Sequence, residues 1–90
     1  MFARVAVWEP MPTDDRSWVL EAVKSVPGVR ETFHLLDPDT GNGLSVAFYD
    51  SLEAIGAAYA AVEQRAREIG WNDQPHPGPA SVTVYEVLRT

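Results

Sequence analysis

Ninety residues make one domain's worth of chain: surface scaling leaves roughly 5,200 Å² exposed out of roughly 14,400 Å² unfolded, about 64% burial, enough for one thin two-layer core. Thirteen acidic residues against seven basic ones give a net charge of -6, which repels phosphate backbones and anionic lipid, so neither nucleic acid nor a membrane is an expected partner. The absence of cysteine removes disulfides, thiolate metal sites, iron–sulfur clusters and thiol nucleophiles together, and suits a cytoplasmic location.

Residues 2–8 alternate Ala3, Val5 and Val7 against Phe2, Arg4, Ala6 and Trp8, as a strand requires. The stretch is too short for the apolar region of a signal peptide, and no run approaches the roughly 20 apolar residues of a membrane span. Pro10 and Pro12 end the strand. Thr13 is the expected N-cap of a first helix, with Asp14 and Asp15 against its positive end and Val19, Ala22, Val23 and Val26 at helical spacing. Pro27-Gly28 stops it. Residues 29–37 alternate Val29, Glu31, Phe33 and Leu35 against Arg30, Thr32, His34 and Leu36, and residues 44–49 alternate again after a turn cluster, which predicts a β-hairpin. Asp37, Asp39 and Asn42 in that cluster lack the closing Glu of a calcium loop, so a plain turn explains them.

Asp50 or Ser51 caps a second helix, with Glu53 in capping-box position and Gly70 as the stop. Its predicted apolar stripe is Leu52, Ile55, Tyr59, Val62, Ala66 and Ile69. The many alanines of this helix permit close packing or leave space over the sheet for a ligand. Residues 71–80 hold Pro75, Pro77, Gly78 and Pro79 and predict a loop without regular structure, and the last strand spans 81–88. The order β-α-β-β-α-β is the split βαβ arrangement: an α+β, ferredoxin-like fold in which two helices cover one face of a four-stranded antiparallel sheet, one domain over 1–90.

Hydrophobicity assigns Ala3, Val5, Val7, Phe33, Leu35, Leu44, Val46, Phe48, Val82 and Val84 to the helices. The opposite face then carries Phe2, Arg4, Trp8, His34, Tyr49 and Tyr85 among others, too aromatic for a solvated surface. A homodimer through this face, with contacts at Phe2, Trp8, His34, Tyr49 and Tyr85, is the expectation; mutual shielding of aromatics on an open sheet is the alternative.

The opening strand, the Pro27-Gly28-Val29 helix stop and Tyr49-Asp50-Ser51-Leu52-Glu53-Ala54 together resemble the dimeric α+β barrel superfamily, and within it the antibiotic-biosynthesis-monooxygenase-like domains. The last segment is similar to that family's aromatic-x-Ser-x-Glu-Ala junction. The resemblance implies a homodimer and a small oxidoreductase acting without a cofactor on an aromatic or polyketide-type molecule. Haem-degrading relatives pair a Trp at the junction with a later His and a first-strand Asn; Tyr49, Ala58 and Tyr59 stand at the matching places and strand one has no Asn, so no haem is expected.

The resemblance makes Tyr59, Trp71 and Asn72 catalytic candidates and Tyr49 a substrate-binding one; their own positions in the chain add His34 to the first set and Arg4 and His76 to the second. Each has a plainer reading. His34 serves proton transfer or only bonds across the interface. Arg4 holds a phenolate or carboxylate, or pairs with Glu86 or with an acid of the partner. Trp71 closes a pocket or merely packs the helix end, His76 lids a cleft or is a solvated loop residue, and Trp18 is read as core. The two histidines, 42 positions apart with no clustered carboxylate, give no metal site. The serines lack any nucleophile context. The function classes left are a cofactor-independent monooxygenase-like enzyme and a non-catalytic homodimeric module that binds a small apolar ligand.

Overall fold

The computed structural model describes residues 1–89. Strand β1 (Phe2–Trp8) is followed by α1 (Ser17–Lys24), β2 (Val29–Leu36), β3 (Gly43–Tyr49), α2 (Leu52–Glu68), a 3-10 turn at Trp71–Asp73, and β4 (Ser81–Glu86). The sheet order is β2-β3-β1-β4 with every pair antiparallel, the predicted ferredoxin-like α+β topology. Among the described residues no helix is long and apolar enough to cross a membrane.

The helix boundaries follow from which carboxylates are free to cap. Asp14 is taken by Arg16, whose Nε donates to it at 2.7 Å, so the expected start at Thr13 does not form. The helix instead begins at Ser17, whose N–H reaches the Asp15 carboxylate at 3.0 Å. At α2 the choice between Asp50 and Ser51 falls to Ser51, which accepts the Ala54 N–H at 3.2 Å, while Asp50 binds Arg30. Gly70, in the left-handed region at φ 71°, ends the helix. The loop expected after it to be irregular opens with the 3-10 turn.

The face assignment is inverted for three strands. Tyr49 packs with Ala54, Ile55 and Ala58 of α2, and Phe2 and Ala47 join the same cluster. Register then places Arg4 opposite Ala47 and Ala6 opposite Ser45 on this face, with Thr32 and His34 beside them on β2. The expected partner-facing contacts Phe2, Trp8, His34 and Tyr49 therefore lie on the helix-bearing face, His34 exposed on its edge strand, and only Tyr85 remains on the open face, opposite Ala3. β4 has the expected sense: Val84 pairs with Arg4 and Val82 with Ala6. The open face carries Ala3, Val5, Val7, Phe33, Leu35, Leu44, Val46 and Phe48 with Ser81, Thr83 and Tyr85, and none of these register-paired positions is charged.

The stripe of α2 is likewise rotated: Ala54, Ile55, Ala58 and Ala66 are buried, whereas Leu52, Tyr59 and Ile69 are largely exposed. Methyl-sized side chains let the helix settle on the sheet at Ala54 and Ala58, and Tyr59 turns aside to meet Arg4. Ala6, Ala54, Ala58 and Ala66 are among the buried residues between the layers, so that space is bounded by small side chains instead of being filled by large ones. Gly43 allows a further close approach: a Cβ there would stand 2.5 Å from the Leu35 carbonyl oxygen, closer than side-chain carbons tolerate.

The chain exposes 6203 Å², about 1,000 Å² above the roughly 5,200 Å² expected for a monomer of this mass. Its extents are 37 × 35 × 17 Å, a slab two layers thick with one layer bare.

Candidate functional site

The small side chains between helices and sheet leave a cavity of about 430 Å³. The sheet supplies its floor with Arg4, Trp8, His34, Ser45, Ala47 and Tyr49; α1 and α2 wall it with Val19, Val23, Val62 and Ala66; Trp71 and Asn72 stand at one end. All three tryptophans of the chain line it.

Of the expected site residues, Arg4, His34, Tyr49, Trp71 and Asn72 are brought to this wall. Arg4 donates through Nε to the Tyr59 hydroxyl at 2.7 Å, and among the described residues it has no carboxylate partner. The expected Arg4–Glu86 pair does not form: register sets Glu86 against Phe2. Tyr59 is not part of the wall and reaches the cavity through Arg4. The Tyr49 phenol is pushed above its ordinary 10.0 by burial, with Arg4 opposing the shift and Tyr59 adding to it. Tyr49 is thus a protonated donor at neutral pH.

His76 is an exposed residue of loop 74–80. Its ring stacks on Trp71 with centroids 3.5 Å apart, and its Nδ1 lies 3.8 Å from Asp14. Trp71 meets Trp18 edge-on at 5.2 Å and lines one end of the cavity.

Four wall residues escape the sequence reading. Arg16 stands between Trp8 and Trp71, its guanidinium carbon 5.4 and 5.1 Å from the two rings. Besides Asp14 it binds the Pro77 carbonyl at 3.1 Å, clasping loop 74–80 to the entry of α1. Ser45 accepts the Trp8 Nε1 proton at 2.9 Å, so its own hydroxyl proton is free to donate to something else. The Trp18 Nε1–H is buried and has no acceptor among the described residues. An arginine in a polar run and a tryptophan among valines carry no signal that marks them as wall residues. Trp8 and Ser45 would have been found had the strand faces been assigned the other way.

The Arg16 hydrogen bond is the leading cause holding the Asp14 carboxyl below its ordinary 3.8, with desolvation opposing it. A depressed folded-state pKa contributes stability above the unfolded value and loses it as pH falls through the folded value. Acid titration of tryptophan emission is therefore expected to show the clasp loosening only below about pH 3.8. Asp14→Asn should abolish that step; a step that survives the substitution would mean another group holds the clasp.

The fold is shared with solved structures over nearly the whole chain. A protein provisionally named antibiotic biosynthesis monooxygenase from Chloroflexus aurantiacus J-10-fl superimposes with TM-score 0.64 at 16% identity, covering 99% of this chain and 94% of that one. Rv0793 from Mycobacterium tuberculosis gives 0.61 at 19% identity over 99% and 96%. A second protein provisionally named for the same activity, from Nitrosomonas europaea, gives 0.61 at 15% identity over 99% and 100%. No protein-family model matches the chain, and no curated protein matches it in sequence. The chain thus shares its fold with proteins that carry this name, at a level of identity that speaks for architecture alone.

Proposed function

We propose that the protein is a homodimeric, cofactor-independent monooxygenase-like enzyme acting on a planar aromatic or polyketide-type phenol in the helix–sheet cavity. The observation that carries this reading is the composition of the wall: three tryptophans, the Tyr49 donor and an Arg4 without a carboxylate partner among the described residues converge on one space of about 430 Å³. Aromatic walls take a flat ring, and Arg4 stabilises the anion formed when the ring loses a proton.

His34 lies on the wall as the base for that proton, with Asn72 and Trp71 orienting the ring from the far end. The substrate anion supplies the electrons. Dioxygen adds to the ionised ring carbon; a methylene becomes a carbonyl, one oxygen atom remains in the product and the other leaves as water. The protein contributes desolvation, alignment and anion stabilisation.

An oxygen electrode with a reduced hydroxyanthrone tests it. Uptake of one O2 per substrate is expected, and Arg4→Gln should lower kcat/KM by about 100-fold, the scale for removing one anion-stabilising donor. Binding of the anthrone without oxygen uptake would instead identify a non-catalytic binding module.

The partner is proposed to be a second copy seated on the open sheet face. The surplus of about 1,000 Å² over a monomer's expected surface is close to one protomer's roughly 800 Å² share of a standard interface.

A further inference from the structure

A second hollow of about 330 Å³ adjoins the main cavity, with an outer wall that includes Met11, Pro12, Leu35 and Leu36. The two spaces share Trp8, Arg16, Leu20, His34 and Ser45, so these five residues form a waist with an apolar chamber on either side.

The waist offers hydrogen-bond donors. Ser45 accepts from Trp8 and keeps a hydroxyl proton to donate. Arg16 uses Nε and Nη2 toward Asp14 and Pro77 and makes no hydrogen bond through Nη1 among the described residues. Close by in the main chamber, the Trp18 N–H also lacks an acceptor. Unmatched donors between two apolar walls call for a ligand whose oxygen acceptor sits between two apolar parts.

We propose that the site binds two-lobed ligands: a fused aromatic ring system in the main cavity, a carbonyl or phenolic oxygen at the Ser45–Arg16 waist, and a second apolar group in the hollow against Leu36. This rests on reading the main cavity as a ligand site and adds a specificity determinant to it. Leu36 decides whether the second lobe is accepted.

Quenching of the three tryptophans by two matched ketones tests it, methyl 2-naphthyl ketone with one lobe and phenyl 2-naphthyl ketone with two. The phenyl ketone is expected to bind at least about 10-fold more tightly, the scale for burying one more aromatic ring. Leu36→Glu, at a position 61% exposed and so tolerant of charge, should erase that gain and leave the methyl ketone within about 2-fold of its wild-type affinity. Val62→Phe, which fills the main cavity, should weaken both. Equal affinities for the two ketones, or a gain that survives Leu36→Glu, would overturn the two-lobed site while leaving the main cavity intact. If neither ketone quenches and Val62→Phe changes nothing, the ligand site itself fails and the two-lobed proposal with it.

Discussion

Val46→Lys is expected to convert a particle of twice 9.9 kDa into a monomer in light scattering at micromolar concentration. Val46 lies on β3 opposite both Val5 and Phe33, at the centre of the uncharged open face. A two-fold interface would bring two such lysines into one apolar layer, and an unpaired buried charge costs several kcal/mol. The expected loss in association is therefore at least about 1,000-fold, since each 1.4 kcal/mol is a factor of ten. Leu52→Lys, on the exposed side of α2, should leave the dimer intact. A wild-type protein that is already monomeric would refute the proposed interface.

Tyr49→Ala carries the largest expected stability effect. Tyr49 is only 3% exposed and anchors the cluster of Ala54, Ile55 and Ala58, whose two alanines cannot reach into the gap its ring would leave. Truncating a buried aromatic costs about 3–5 kcal/mol, a large share of the roughly 5–15 kcal/mol that holds a domain together. A fall in Tm of more than about 10 °C follows at this size. Tyr49→Phe separates packing from chemistry: it should keep Tm within a few degrees yet weaken oxygen-bearing ligands, because it removes a hydroxyl from a residue that lines the cavity. Equal Tm values for the two variants would show that the ring is not the anchor.

The element order was legible because strand and helix periods are local and Pro27-Gly28, Ser51 and Gly70 punctuate them. Which face of each strand turns inward was not. Alternation yields two faces and no direction, and the apolar set Val5, Val7, Val46 and Phe48 suggested a core. Here the polar-looking set is inside, because it floors a cavity where Arg4, His34 and Ser45 meet space instead of packed side chains. β4 escaped the error since Val82 and Val84 contrast with Ser81 and Thr83 without ambiguity. The candidates Arg4, His34 and Tyr49 reached the wall by a route opposite to the one expected, from the helix-bearing face of the sheet. Arg16 was beyond reach, because its role depends on Trp8 and Trp71, 63 positions apart in the chain and joined only by the fold.

A bare layer on a slab 17 Å thick also bears on how far association can proceed. Two protomers that meet through that layer present the same patch to each other, an isologous contact that consumes the adhesive surface of both. Growth beyond the pair would have to run along the sheet margins, β2 and β4. Arg30 and Glu31 on one margin and Glu86 on the other are all exposed, the kind of charge that discourages strand addition. A pair formed in the proposed way would have no adhesive layer left to extend it, and a concentrated solution of this acidic protein should remain free of fibres.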